Sequence, residues 1–262
     1  MPTVREIEQA LFRLAPKEGA MDWDNVGQLL GDPEAEVRRV LVALDITEAV
    51  ADEAIAENCQ LIVSHHPVMN CKWLPVQTVR QDTPQGHLLL KILRSGLSAI
   101  CMHTNLDVAP GGVNDALASA IGLRDCRGLE LLNEQTGAWL GRIGTLPEPL
   151  SPESFAAHVK SCLNAASVKF AAAPRAIHTV ALCSGSGADC LDAAISAGAD
   201  ALLTSEVKQH EYLAATAAGI SIFDAGHFDT EDIVIEPLRD YLAKEIPDVH
   251  FFTTHRSAIQ AI

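Results

Sequence analysis

Ten histidines occur among the 262 residues, and four of them, His65, His66, His103 and His227, fall just beyond short apolar runs of strand length. Carboxylates stand near them in sequence: Asp107 after His103, and Asp224, Asp229 and Glu231 around His227. Imidazole and carboxylate without thiolate form the donor set of hydrolytic first-row metal sites, which bind Zn, Mn, Fe or Co and keep positions open for water. His65 and His66 are adjacent, so they cannot share one face of a regular strand, where successive side chains alternate. Both can face one site only from a loop or strand terminus, and Pro67 suits a strand that has just ended. His227 and Glu231 are four residues apart and share a face of a helix that begins near Asp229, where acidic residues in the first turn suit the helix dipole.

Two other segments carry weaker signals. Gly185-Ser186-Gly187 lies between an expected strand and an expected helix, where backbone N–H groups can cradle a phosphate. Cys190 stands where the third glycine of G-x-G-x-x-G would be, and a Walker A motif is absent, so a tight strand-to-helix turn is the favoured reading. Lys208 and His210 follow Glu206 in an expected helix, where a solvated face and an anion-binding face are equally open. No G-x-S-x-G elbow offers a serine nucleophile.

The elements that must position these residues read as alternating α and β. Thr3-Val4-Arg5-Glu6 is a T-x-x-E capping box that opens a helix ending near Pro16, and residues 16–36 read as loop. A strand over 40–44, a helix over 47–58, a strand over 61–63, a helix over 84–95 ended by Gly96 and a strand over 98–102 follow. This βαβαβ order argues for a parallel sheet covered on both faces. Residues 37–66 resemble residues 177–206 at a constant spacing, with Val40 over Val180, Ile55 over Ile195 and Ile62 over Leu202, and the match resumes with Gly96–Ile100 over Gly219–Phe223. A duplication places similar cargo after equivalent strands, at the carboxyl ends where α/β sheets build sites. Between the halves, a strand or two around 138–145 and a helix from Ser151, with Pro152 at its first position, are expected. The reading is two pseudo-repeated three-layer α/β halves with mostly parallel sheets: 1–125, an intervening 126–176, and 177–262 packing back on the first half.

Composition bounds the function. With 48% apolar residues and a net charge of −15, the chain suits a large core and offers no broad phosphate-tracking surface for nucleic acid. No apolar run approaches the roughly 18 residues of a membrane span, and the N-terminus lacks a signal-peptide pattern. Seven cysteines (59, 71, 101, 126, 162, 183, 190), mostly within apolar runs and with no CxxC, fit buried reduced thiols. The expectation is a cytoplasmic protein with neither disulfides nor a Cys-rich zinc site.

Five ordered segments carry a resemblance: Asp22-Trp23-Asp24-Asn25-Val26-Gly27, Ser64-His65-His66-Pro67, His103-Thr104-Asn105-Leu106-Asp107, Gly111-Gly112-Val113-Asn114-Asp115-Ala116-Leu117 and Gly226-His227-Phe228-Asp229-Thr230-Glu231. Together they resemble the motif set of the NIF-three-like dinuclear metal-centre proteins, commonly called GTP cyclohydrolase 1 type 2 homologues, over nearly the whole chain. The resemblance implies that the two α/β halves are intertwined in each subunit, a toroidal homohexamer and two divalent metal ions per subunit. The implied ligands are His65, His66, Asp107, His227 and Glu231, with Glu231 or Asp107 bridging. Ser205-Glu206 stands where the family often has a glycine and an acidic residue.

The activity implied is a metal-dependent hydrolase acting on a small molecule, by the family's naming on GTP, with opening of the guanine imidazole ring and release of formate. Glu206 or His210 would carry protons. Two alternatives use the same residues: a dinuclear phosphatase or phosphodiesterase, and a non-catalytic hexameric protein that binds metal or a partner.

Overall fold

The structure, a computed structural model, describes residues 1–69, 76, 78–134 and 136–259; Cys71 lies outside the described residues. The first unit opens with α1 (Val4–Leu14), β1 (Gly27–Leu30), β2 (Arg39–Ala43), α2 (Glu48–Ala56), β3 (Leu61–Ser64), α3 (Pro84–Arg94), β4 (Ser98–Cys101) and the five-residue α4 (Thr104–Val108). The second holds α5 (Val113–Ala120), β5 (Arg124–Asn133), β6 (Ala138–Leu150), α6 (Pro152–Cys162), β7 (Lys169–Ala171), β8 (Ile177–Leu182), α7 (Leu191–Ser196), β9 (Ala201–Thr204), α8 (Gln209–Ala217), β10 (Ser221–Asp224) and α9 (His227–Glu231). The chain then returns to the first unit with α10 (Ile235–Glu245) and β11 (His250–Thr254). The units are Met1–Ala109 with Ile235–Arg256, and Pro110–Val234 with Ser257–Ile262. The borders expected near 125 and 176 both fall inside the second unit on this division, and the segment 177–262 serves both units.

Local chemistry starts the helices. Thr3 and Glu6 form the expected reciprocal box, Thr3 N–H donating to Glu6 Oε2 at 2.7 Å and Glu6 N–H to Thr3 Oγ1 at 3.3 Å. Thr47, Thr83 and Ser151 cap α2, α3 and α6, and Pro84 and Pro152 occupy first-turn positions where no N–H is needed. The stretch 16–36 is not all loop: it holds a helical turn at Lys17–Gly19 and β1, which pairs antiparallel with β4. Only Gly27 of β1 is buried, so the strand has no alternation to read.

The first sheet runs β1-β4-β3-β2-β11 and the second β5-β6-β8-β9-β10-β7. Their three-strand centres, β2-β3-β4 and β8-β9-β10, are parallel and match in register: Val40 pairs with Leu61 as Val180 pairs with Ala201, and Leu61 with Ser98 as Ala201 with Ser221. Smaller features repeat as well. The N–H groups of Arg38 and Arg39 donate to Gln60 Oε1, and those of His178 and Thr179 donate to Asp200 Oδ2. Asn58 and Gly198 hold equivalent left-handed positions, as do Gly96 and Gly219. The duplication expected from sequence is therefore present in the backbone. The flanks differ: β11 joins β2 in parallel, whereas β6 joins β8 antiparallel, so the second sheet is parallel only across β8, β9 and β10.

Both faces of the second sheet are covered, giving the long apolar strands expected of a sheet buried on two sides. Val180, Leu203 and Phe223 pack with Leu117, Phe155 and Val159, while Ala181, Leu202 and Ile222 turn the other way toward Ala194 and Ala215. In the first unit Leu41, Ile62 and Ala99 meet Val50, Ala54, Leu89 and Ile92. Among the described residues no helix is long and apolar enough to cross a membrane. None of the six described cysteines forms a disulfide; Cys59, Cys101, Cys183 and Cys190 are buried, whereas Cys126 and Cys162 are exposed.

The duplicated clamp is open to test. Asp200→Ala strips the acceptor from two backbone N–H groups and from Arg175, and is expected to cost about 1–3 kcal/mol in urea unfolding. Gln60→Ala removes a neutral acceptor and is expected to cost less, because hydrogen bonds to an ionised acceptor are stronger. Equal or negligible losses would show that the clamp does not hold the sheets.

Candidate functional site

β3 stops at Ser64, and the next two residues leave the strand while their N–H groups still bond to the end of the neighbouring segment, His65 to Ala43 O and His66 to Leu44 O. The ending expected before Pro67 is thus where both rings turn toward one place. His65 is fully buried, and its Nδ1 lies 2.9 Å from the Met102 carbonyl. A carbonyl only accepts, so Nδ1 carries the proton and Nε2 the lone pair. That Nε2 faces Asp107 Oδ1 at 3.6 Å. His66 Nδ1 donates to Asp45 Oδ1 at 2.8 Å, and His103 Nδ1 to Asp24 Oδ1 at 2.9 Å. The three ring centroids are 5.0, 5.2 and 5.6 Å apart, and one ring nitrogen from each lies within 4.8 Å of the others.

Each of the three rings therefore has an acceptor behind it, the arrangement that orients histidines at metal sites. Of the two carboxylate acceptors, the one behind His103 is the more enclosed, the Asp24 carboxylate having no exposed surface. Burial alone would raise its pKa, but the hydrogen bonds and charge of His103 and the donors of Thr104 outweigh it and hold the group down to about 2.

In the second unit, α9 begins at His227, two residues earlier than the start near Asp229 read from sequence, after Gly226 in a left-handed conformation. His227 and Glu231 lie one turn apart, with Nε2 3.0 Å from Glu231 Oε2, while Nδ1 is 3.0 Å from Glu206 Oε1. Glu231 is nearly buried and passes close to Gly185, where a Cβ would fall on its carboxylate. Gly185 also has a φ of +59°, so glycine is needed there twice over.

The Gly185-Ser186-Gly187 segment is the tight turn favoured from sequence. The N–H of Gly185 donates to Thr230 Oγ1 and that of Gly187 to Thr204 Oγ1, while the Ser184 N–H goes to Asn114 Oδ1, so these donors are committed within the unit. Thr230 Oγ1 in turn bonds to the Gly226 and His227 carbonyls, which ties α9 to the turn.

Of the residues expected to act, Glu206 lies against His227 in a left-handed conformation. His210 is in the first turn of α8 with its side chain 76% exposed, 3.9 Å from Glu211, and Lys208 reaches the same carboxylate. Asp224 is engaged by Lys169 and the Gly226 N–H. The supporting acceptors Asp24 and Asp45 were not identified as such from sequence. Asp24 stands in a motif segment that carries the family resemblance, and Asp45 gives no local signal. Asp107 and Glu231 come from equivalent helices, since α4 and α9 are both five residues long and each starts three residues after the end of its strand, but Asp107 is the fourth residue of its helix and Glu231 the fifth.

The sequence model of the Duf34/NIF3 (NGG1p interacting factor 3) family matches residues 2–259. A Streptomyces coelicolor protein named GTP cyclohydrolase 1 type 2 homolog is 35% identical over 237 residues, covering 88% of this chain and 82% of its own. One of the same name from Clostridium acetobutylicum is 32% identical over 230 residues, covering 87% and 85%. The crystal structure of a Staphylococcus aureus hypothetical protein aligns with a TM-score of 0.91 at 27% identity over 99% of both chains. A Bacillus cereus protein related to NIF3 has the same TM-score at 23% identity, over 100% of this chain and 99% of its own, a likeness of fold.

Gly185→Ala is expected to displace the Glu231 carboxylate and to destabilise the chain by more than the about 1–2 kcal/mol that a left-handed non-glycine residue costs by itself. Gly198→Ala, also left-handed but with open space around the added carbon, is the control for backbone strain. Thermal unfolding of the two variants separates strain from crowding: a larger loss at Gly185 reports Glu231, and equal losses would deny the crowding.

Proposed function

The chain belongs to the Duf34/NIF3 family, and we propose that it is a divalent-metal-dependent hydrolase whose ligands are His65, His66 and Asp107 from the first unit and His227 and Glu231 from the second. The observation that carries this reading is the cluster of His65, His66 and His103, each with Nδ1 held by an acceptor and with ring nitrogens within 4.8 Å of one another. The donor set fits such ions: nitrogen and carboxylate oxygen, with no thiolate, suits Zn, Mn, Fe or Co. Two ions per chain are proposed, on the family resemblance and on two carboxylates able to bridge. Ions bound there would polarise the substrate and bring the pKa of water toward neutrality.

The chain's own groups have separable roles in this scheme. Met102 O and Asp45 fix the tautomers of His65 and His66, and Glu206 holds His227. Glu206 and His210 are proposed as proton carriers. The substrate proposed is GTP, from the names of the relatives. One water opens the guanine imidazole ring at C8 and a second releases that carbon as formate. A homohexamer in the cytoplasm is proposed on the resemblance alone.

Elemental analysis of untagged protein purified without chelator is expected to find close to two divalent ions per chain, lost in His65→Ala and Glu231→Ala. With metal bound, GTP is expected to yield formate; release of inorganic phosphate instead would move the chemistry to a phosphoryl group. No ions even after incubation with Zn, Mn or Fe would remove the hydrolase reading and leave a partner-binding protein.

A further inference from the structure

The loop between α1 and β1 holds Asp24, a carboxylate with no exposed surface and four donors upon it. Oδ1 accepts from His103 Nδ1 at 2.9 Å and from the Asn25 N–H at 2.8 Å; Oδ2 accepts from the Thr104 N–H at 3.0 Å and from Thr104 Oγ1 at 2.6 Å. Four donors fill the lone-pair capacity of a carboxylate. Thr104 is the first residue of α4, the helix that carries Asp107, and its Oγ1 also accepts from the Met21 N–H. The neighbouring Asn25 donates through Nδ2 to the Met69 carbonyl, just beyond His65-His66-Pro67. One short loop thus braces both segments that supply the first unit's cluster.

We propose that His103 Nε2 is a further donor to the ion beside the five proposed ligands, and that Asp24 is its positioning residue, fixing the tautomer of His103 and the start of α4 together so that His103 Nε2 and the Asp107 carboxylate are delivered in one arrangement. The proposal rests on the metal-site reading for its purpose, but its geometry can be tested without any metal. An asparagine at this position keeps the shape and has only one acceptor oxygen. If that oxygen stays with the two donors of Thr104, the amide NH2 replaces the oxygen shared by His103 Nδ1 and the Asn25 N–H; the Asn25 N–H loses its acceptor, His103 Nδ1 must then accept, and the imidazole proton moves to Nε2. The lone pair aimed at the cluster is lost without loss of volume. A role confined to stability would leave the tautomer unchanged.

Long-range 1H–15N correlation spectra of metal-free protein at mildly alkaline pH report the tautomer of each imidazole. The expected result is Nδ1–H for His103 in the wild type and Nε2–H in Asp24→Asn, with His65 and His66 unaltered. Asp45→Asn, whose exposed amide is free to turn its oxygen to His66 Nδ1, is expected to leave His66 and His103 both as Nδ1–H. Zinc affinity, measured by competition with a chromogenic chelator, is expected to fall about 10–100-fold in Asp24→Asn. Wild-type His103 carrying its proton on Nε2 would overturn the proposal, as would Asp24→Asn with an unchanged tautomer and unchanged zinc affinity. Should Asp24→Asn fail to fold, the wild-type spectrum still decides the tautomer, and Thr104→Val, which spares the contact to His103, is expected to keep Nδ1–H. Wild-type protein that binds no zinc would sink the metal reading while leaving the tautomer test standing.

Discussion

An imidazole that must offer a lone pair in a chosen direction needs an acceptor behind its other nitrogen, and that requirement organises the first unit. Three rings converge, and each acceptor comes from a different place: the carbonyl that follows β4, the carboxylate that follows β2, and a carboxylate in the loop before β1. These acceptors can stand behind the rings because β2, β3 and β4 are parallel and end at the same level. Parallel pairing needs long crossovers, and the crossovers need helices that bury the sheet. The apolar cores formed with α2 and α3 can thus be traced to the placement of a few nitrogen atoms.

The second unit solves a related problem with different residues on the same backbone. Where the first unit has His66 after its central strand, the second has Glu206; where the first has Asp45, the second has Gly185, and the space goes to Glu231. A carboxylate thus stands where the first unit has a ring, and a glycine where it has a carboxylate. Duplication supplied a frame whose strand ends could accept either chemistry, while the registers and the clamp at Gln60 and Asp200 were kept.

Much of this was legible from sequence because it depends on local rules. Adjacent histidines before a proline announce a strand end, Thr3 with Glu6 announces a helix, and apolar triplets at constant spacing announce the repeat. What escaped depends on long-range meetings. The contact of Asp24 with His103 spans 79 residues, and no periodicity marks it. β1 has one buried residue, too few for a pattern, and the long β5–β6 pair is largely exposed on β5, so its hydropathy does not alternate. Exposure also separates His210 from the buried histidines, which neighbouring sequence could not show.

The path of the chain has a consequence for how it is made. β11 lies against β2, yet more than 200 residues separate them, so the β2 edge of the first sheet stays open until β11 has left the ribosome. An uncovered parallel edge is a template for unwanted pairing. Nearly all of the second unit is a single continuous stretch and can complete its core while the first still waits for its last strand. Truncation ahead of β11 would therefore damage the unit whose strands are synthesised earlier, leaving the later one largely whole.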